Sequence, residues 1–151
     1  MNSKINILCT SNLIPESGFD ILLSVYIKII KEFPLANLVI ASDGPMFDSI
    51  SRLIKEKEIS ANVQLYKEFV SKDWARVLLS LSDLYINVEA NTVSNNIDRM
   101  ALKSNAKIIC SHRNKEFVQH LNDNIYLVDP SDSSDVEDKL LQVLKLIIGN
   151  G

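Results

Sequence analysis

The chain has 151 residues, 46% hydrophobic and 23% charged, which is the mix of one globular domain long enough to bury its own core and not that of a disordered segment. Its 16 basic residues stand against 19 acidic ones, a net charge of −3, which argues against non-specific nucleic-acid binding because that needs a positive field. The 2 cysteines are too few for a disulfide framework, and no C-x-x-C spacing offers a zinc site.

Short β-rich runs alternate with longer amphipathic ones. Lys4–Cys9 reads as the first strand. Gly18–Phe33 follows as a helix, with Ile21, Leu22, Val25, Ile29 and Ile30 on one stripe. It stops at Phe33–Pro34, because a proline disfavours helical backbone in the residue before it. Asn37–Ala41 is the second strand. Pro45 opens the next helix where its missing N–H is tolerated, and Phe47, Ile50, Leu53 and Ile54 point inward. Asn62–Tyr66, alternating at Gln64, is the third strand. Ser71-Lys72-Asp73 opens a helix that carries Trp74, Val77, Leu78 and Leu81; Trp74, Tyr66 and Phe69 read as core residues. Asp83–Asn87, Lys107–Cys110 and Asn124–Val128 are the remaining strands, with helices at about Ser94–Lys103 and Lys115–Leu121 between them. The last helix, about Ser134–Ile148, has Asp132, Asp135, Glu137 and Asp138 near its start and Lys145 near its end, an order that suits the helix dipole.

Strands apolar on nearly every residue are buried on both faces, as in a parallel sheet. The expected fold is therefore α/β: one doubly wound domain spanning residues 1–151, an open parallel six-stranded sheet of order 3-2-1-4-5-6 with helices on both faces. Ligands of such sheets bind outside the carboxyl ends of the strands, where strand order reverses. Here that point is the turn Thr10–Gly18 facing Val88–Ser94. The first turn is not G-x-G-x-x-G, and no P-loop sequence occurs, so the standard dinucleotide and nucleotide-triphosphate readings fail. The clustered acids of a phosphorelay receiver are also missing from Cys9-Thr10-Ser11. The apolar run Ile5–Cys9 is too short for a signal-peptide core, and no stretch approaches the ~20 apolar residues of a membrane span, so the cytosol follows by default. Cys9 and Cys110, inside apolar runs, are expected to be buried free thiols of a reducing compartment.

The loops carry a resemblance. Leu13-Ile14-Pro15-Glu16-Ser17-Gly18-Phe19-Asp20 resembles the L-V-P-E-K-G-x-D signature after the first strand of the C-terminal domain of GT-B fold glycosyltransferases of the family 4, group 1 type. Further matches follow in order. Leu38-Val39-Ile40-Ala41-Ser42-Asp43-Gly44-Pro45 resembles L-V-I-V-G-D-G-P, and Asn62-Val63 with Phe69-Val70-Ser71 resembles N-V-x-F-x-G-x-V-S. Ser82-Asp83-Leu84-Tyr85-Ile86 resembles the A-D-V-F-V strand, and Met100-Ala101 with Ile108-Ile109-Cys110-Ser111 resembles E-A-M-A…P-V-V-A-S. Glu116-Phe117-Val118 to Leu127-Val128 resembles P-E-V-V-x-D-G-x-N-G-x-L-V.

The resemblance implies the donor-binding domain of an enzyme that moves a sugar from a nucleoside diphosphate sugar to an acceptor, with retention and without a metal or other cofactor. It implies as partner a missing N-terminal acceptor domain or a partner glycosyltransferase subunit. The chain is then expected to be a fragment of a longer two-domain protein, inactive in isolation, with any membrane contact only through a region absent from this sequence. A stand-alone, degenerate and non-catalytic accessory subunit is the alternative.

On the family pattern, Glu89 is the first of the paired acids, the candidate catalytic residue beside the transferred sugar, and Asp98 the second, facing the donor ribose. Their spacing is one residue too long, and Asp98 replaces a Glu. Asn12 and Ser17 stand where the family has Arg and Lys at the donor diphosphate. Gly44 lies in the loop that borders the nucleotide base. Asn95 and Asn96 stand in for glycines at the start of the following helix, and Arg113 is a candidate replacement cation.

Overall fold

The computed structural model describes residues 4–14, 17–67, 71–89 and 96–150. Six parallel strands, β1 (Ile5–Cys9), β2 (Ala36–Ala41), β3 (Val63–Tyr66), β4 (Leu84–Asn87), β5 (Lys107–Ser111) and β6 (Ile125–Val128), form one sheet in the order β3-β2-β1-β4-β5-β6. Between and after them run α1 (Phe19–Ile29), α2 (Phe47–Glu56), α3 (Lys72–Ser80), α4 (Asn96–Leu102), α5 (Lys115–Gln119) and α6 (Ser133–Asn150). This is the doubly wound α/β fold expected from the sequence. One face buries Ile7, Cys9, Leu38, Ile86 and Ile109 under α1, α2 and α6, and the other buries Leu8, Tyr85, Ile108 and Cys110 under α3, α4 and α5. Among the described residues no helix is long and apolar enough to cross a membrane.

Local chemistry explains the helix ends. The Ser71 side chain accepts from the Trp74 N–H, Asn114 accepts from Phe117, and Asp132 accepts from Ser134 and Asp135, so each of these three helices starts on a side-chain cap. Pro45 precedes Met46, the N-cap of α2, instead of occupying its first turn. Helix α1 ends at Ile29, before Pro34, and a turn over residues 30–32 leads to buried Phe33.

Helix α3 departs from the sequence reading. Its buried residues are Ala75 and Leu79, whereas Trp74, Val77 and Leu81 are exposed, as is Tyr66. Trp74 and Tyr66 are therefore not core residues; Phe69 lies outside the described residues. Ala75 and Leu79 face inward, and the bulkier residues fall on the outer flank.

Cys9 pairs with Ile86 and Cys110 with Asn87, so the two thiols sit one register step apart on opposite sides of β4 and point to opposite faces. They are free and buried, and burial pushes Cys9 up to about 11 and Cys110 up to about 12. A bulky thiol reagent at pH 8 should label both only as fast as the chain unfolds; rapid native-state labelling of either would contradict this packing. Raised values also set a pH dependence. Their stabilising share is complete below the ordinary thiol value of 9.0 and is lost as pH rises toward 11–12. The unfolding free energy from urea titrations should fall between pH 9 and 10.5 by up to about 1.4 kcal/mol per pH unit per thiol. Buried Tyr26 and Tyr85, whose phenols burial also pushes up, steepen the fall at higher pH.

Candidate functional site

Strand order reverses between β1 and β4, and the chain leaves both strands at the same end of the sheet. The parallel register continues past the strands through side chains. Ser11 Oγ accepts from the Val88 N–H at 3.0 Å and donates to Asn87 Oδ1 at 3.3 Å. One step further, Glu89 accepts from the Asn12 N–H at 3.1 Å and from Asn12 Nδ2 at 2.9 Å, one bond to each carboxylate oxygen. Two residues assigned separate ligand roles from the sequence thus hold each other, joining the loops after β1 and β4. Glu89 is only 8% exposed, while Asn12 is exposed at the mouth.

Asp98 lies beneath this junction. It is 1% exposed, and its carboxylate accepts from Tyr85 Oη at 2.6 Å and from Asn87 Nδ2 at 3.0 and 3.2 Å. The single Tyr85 proton goes to the carboxylate, so Thr10 Oγ1, 2.6 Å away, donates to Tyr85. The result is a buried polar chain from Thr10 through Tyr85, Asp98 and Asn87 to Ser11. Sequence reasoning missed Thr10, Ser11, Tyr85 and Asn87. The signal was there: Thr10 and Ser11 extend an apolar strand with polar residues, and Asn87 ends one.

Ser17 is buried; its Oγ donates to the Ile14 carbonyl at 2.9 Å and accepts from the Phe19 N–H, the first of α1, at 3.3 Å. Gly18 follows at φ +80°, and a Cβ there would lie 2.8 Å from Pro130 Cβ. Gly44 sits at φ +154°, with a would-be Cβ 2.5 Å from the Leu13 carbonyl oxygen. That close approach is fixed by two backbone bonds, Leu13 N–H to Asp43 and Met46 N–H to Leu13, which bind the loop after β2 to the loop after β1. Asn96 opens α4, is exposed, and accepts from Arg99 at 3.1 Å. Asn95 lies outside the described residues.

A cleft of about 290 Å³ opens at the same end of the sheet, lined by residues that include Ser17, Gly18, Val88, His112, Arg113 and Asp129. Arg113 is exposed on its wall. Asp129 is held below the usual carboxylate range, chiefly by hydrogen bonds from the Ser131 hydroxyl and N–H, with smaller help from His112 and Arg113. His112 and Arg113, which follow β5, are expected from the sequence near the pocket rim, whereas Asp129 and Ser131 were not singled out, since strand-end loops do not announce which of their residues turn inward. A larger groove, about 690 Å³, lies at the opposite end of the sheet beside Asp83 and Lys107, away from the strand carboxyl ends. Among the described residues no three His, Cys, Asp or Glu side chains converge as a metal site would.

No family model matches this sequence, and no curated protein matches it. Solved structures do. The C-terminal domain of the glycosyl transferase group 1 family protein LpcC from Francisella tularensis aligns with a TM-score of 0.77 at 16% identity, over 96% of this chain and 77% of that one. The fold is that of a group 1 glycosyltransferase C-terminal domain. A glycosyltransferase from Rickettsia africae aligns equally well, TM-score 0.77 at 13% identity, over 96% of this chain but only 38% of its own. TarM of S. aureus, solved with Fondaparinux, alpha-GlcNAc-glycerol and UDP, aligns with a TM-score of 0.72 at 19% identity, over 92% of this chain and 28% of TarM. The chain thus spans about a third of these last two proteins.

Proposed function

We propose that this chain is the donor-binding domain of a glycosyltransferase, taking a nucleoside diphosphate sugar in the crevice between the loops after β1 and β4. One observation carries the reading: the Asn12–Glu89 junction lies where strand order reverses, the place where open α/β sheets bind ligands, in a domain with a glycosyltransferase fold. The UDP in the TarM structure supports the same ligand class. In this reading Glu89 borders the transferred sugar, Asn12 and Ser17 line the diphosphate side, and Gly44 holds the base-side loop. Asn96 presents backbone at the start of α4, Asp98 supports that start from beneath, and Arg113 supplies a cation at the rim. Transfer proceeds with retention and without a metal, against an acceptor domain or partner subunit outside this sequence.

The neutral Asn12 and Ser17 weaken such a site. A hydrogen bond to a charged group contributes about 1.5–3 kcal/mol, so lacking two cationic contacts costs roughly two to four powers of ten in affinity. The electrostatic stabilisation of a departing diphosphate suffers equally. A second reading, a non-catalytic accessory subunit, is favoured by the same residues: Asn12 is engaged by Glu89 and Ser17 by its own turn.

Calorimetry with UDP and GDP tests the site. The parent should bind weakly, and Asn12→Arg with Ser17→Lys should raise affinity at least ten-fold, about 1.4 kcal/mol, with a gain that shrinks as salt is added. A folded double variant that binds neither nucleotide better than its parent would refute the phosphate-site assignment, leaving the fold without the function.

A further inference from the structure

Asn12 offers two donors side by side, its backbone N–H and its Nδ2. Glu89 takes both, one on each carboxylate oxygen, at 3.1 and 2.9 Å. A fork of N–H groups grips a phosphate in the same way, through two oxygens that share one central atom and a negative charge. Glu89 therefore sits on Asn12 as an anion supplied by the chain itself. A ligand phosphate cannot join it there. The backbone N–H has a single hydrogen to give, and two anions at hydrogen-bonding distance repel each other.

The backbone of this contact is tied down, and the Glu89 side chain is not. The Glu89 N–H donates to Asn87 Oδ1 at 3.1 Å and the Val88 N–H to Ser11 Oγ at 3.0 Å, while Asn87 Nδ2 donates in turn to Asp98. Among the described residues only Asn12 holds the Glu89 carboxylate. Rotation of that one side chain is enough to release it, with both loops left in place. Val88, its neighbour, lines the adjoining cleft together with Ser17 and Arg113, so open space begins beside it. We infer, on the reading of this crevice as a donor site, that the Asn12–Glu89 pair is an autoinhibitory latch. The carboxylate fills the phosphate donors until a diphosphate displaces it, and displacement frees the same carboxylate for the transferred sugar. A ligand without phosphate gains nothing from Asn12 and leaves the latch shut. The apparent affinity for a diphosphate is lowered by the fraction of time the latch stands open.

Titration of UDP, GDP and uridine into the full chain, followed by NMR on the Asn12 amide signals, reads both binding and the latch. Glu89→Gln removes the charge at constant size and should tighten UDP and GDP at least about five-fold, the factor set by a latch shut roughly four-fifths of the time. Glu89→Ala should do the same. Uridine binding should change with neither. In the parent, UDP should shift the Asn12 side-chain signal; in Glu89→Ala that signal should be displaced before any nucleotide is added. Asp129→Asn removes a charge of the same sign from the exposed wall of the adjoining cleft and should change UDP affinity by less than about two-fold. If Asn12→Arg with Ser17→Lys binds UDP or GDP while neither Glu89 variant gains affinity, or if Asp129→Asn gains as much as they do, the latch is overturned and the donor reading stands. If the charge-restored chain binds neither nucleotide, the donor reading falls and the latch falls with it.

Discussion

Asp98→Ala should lower the unfolding free energy by about 3–5 kcal/mol, because it strips the acceptor from two buried donors at once. Tyr85 Oη and Asn87 Nδ2 both end on this carboxylate, and both residues are buried. Each stranded polar group costs about 1–3 kcal/mol, and the vacated volume adds to that. Against a typical total of about 5–15 kcal/mol, the loss is a large part of the fold's stability. Asp98→Asn keeps the volume and one acceptor oxygen, so its cost should be about 1–2 kcal/mol. Urea unfolding of the two variants gives both numbers. A loss below about 1 kcal/mol for the alanine variant would mean that the buried chain from Thr10 to Ser11 re-forms without its carboxylate.

Gly44→Ala should cost about 2–4 kcal/mol through a different mechanism, a backbone that cannot accept a side chain. The φ of +154° is strained for any L-residue, and the new methyl would meet the Leu13 carbonyl oxygen at 2.5 Å. That oxygen is held by the Met46 N–H and cannot swing aside freely. A thermal midpoint lowered by roughly 5 °C or more is the expected reading for a domain of this size. Gly149 is the internal comparison: nothing lies within 4 Å of a Cβ there, so Gly149→Ala should leave the midpoint unchanged or raise it slightly. Equal behaviour of the two alanine variants would refute the close contact between the first two loops.

The strands were legible because burial on both faces leaves an uninterrupted apolar run, and Ile5–Cys9 or Leu84–Asn87 admit few other readings. Their order followed from the alternation of strands with helices. The face of α3 was not legible: Trp74, Val77 and Leu81 keep helical spacing, but so do Ala75 and Leu79, and size alone points to the wrong stripe. At the site, the positions of Asn12, Ser17, Glu89 and Arg113 near the strand ends could be read from the sequence. Their bonds could not, since a motif gives the location of a residue in a loop and not the partner its side chain finds. The pairing of Asn12 with Glu89 depends on the parallel register of β1 and β4, which only the folded sheet supplies.

The position of β1 in the middle of the sheet bears on how the chain is made. Its first flank closes when β2 arrives, since Ile7 pairs with Leu38. Its second flank waits for β4, because Ile7 also pairs with Leu84, 77 residues later. At ribosomal speeds of about 5–20 residues per second, that edge stays open for roughly 4–15 s. During that interval the nascent half-sheet offers unpaired backbone on an apolar strand, the kind of surface on which chains aggregate or recruit chaperones. Slower elongation between Ala41 and Leu84 would lengthen the exposure and should lower soluble yield without changing a single native contact.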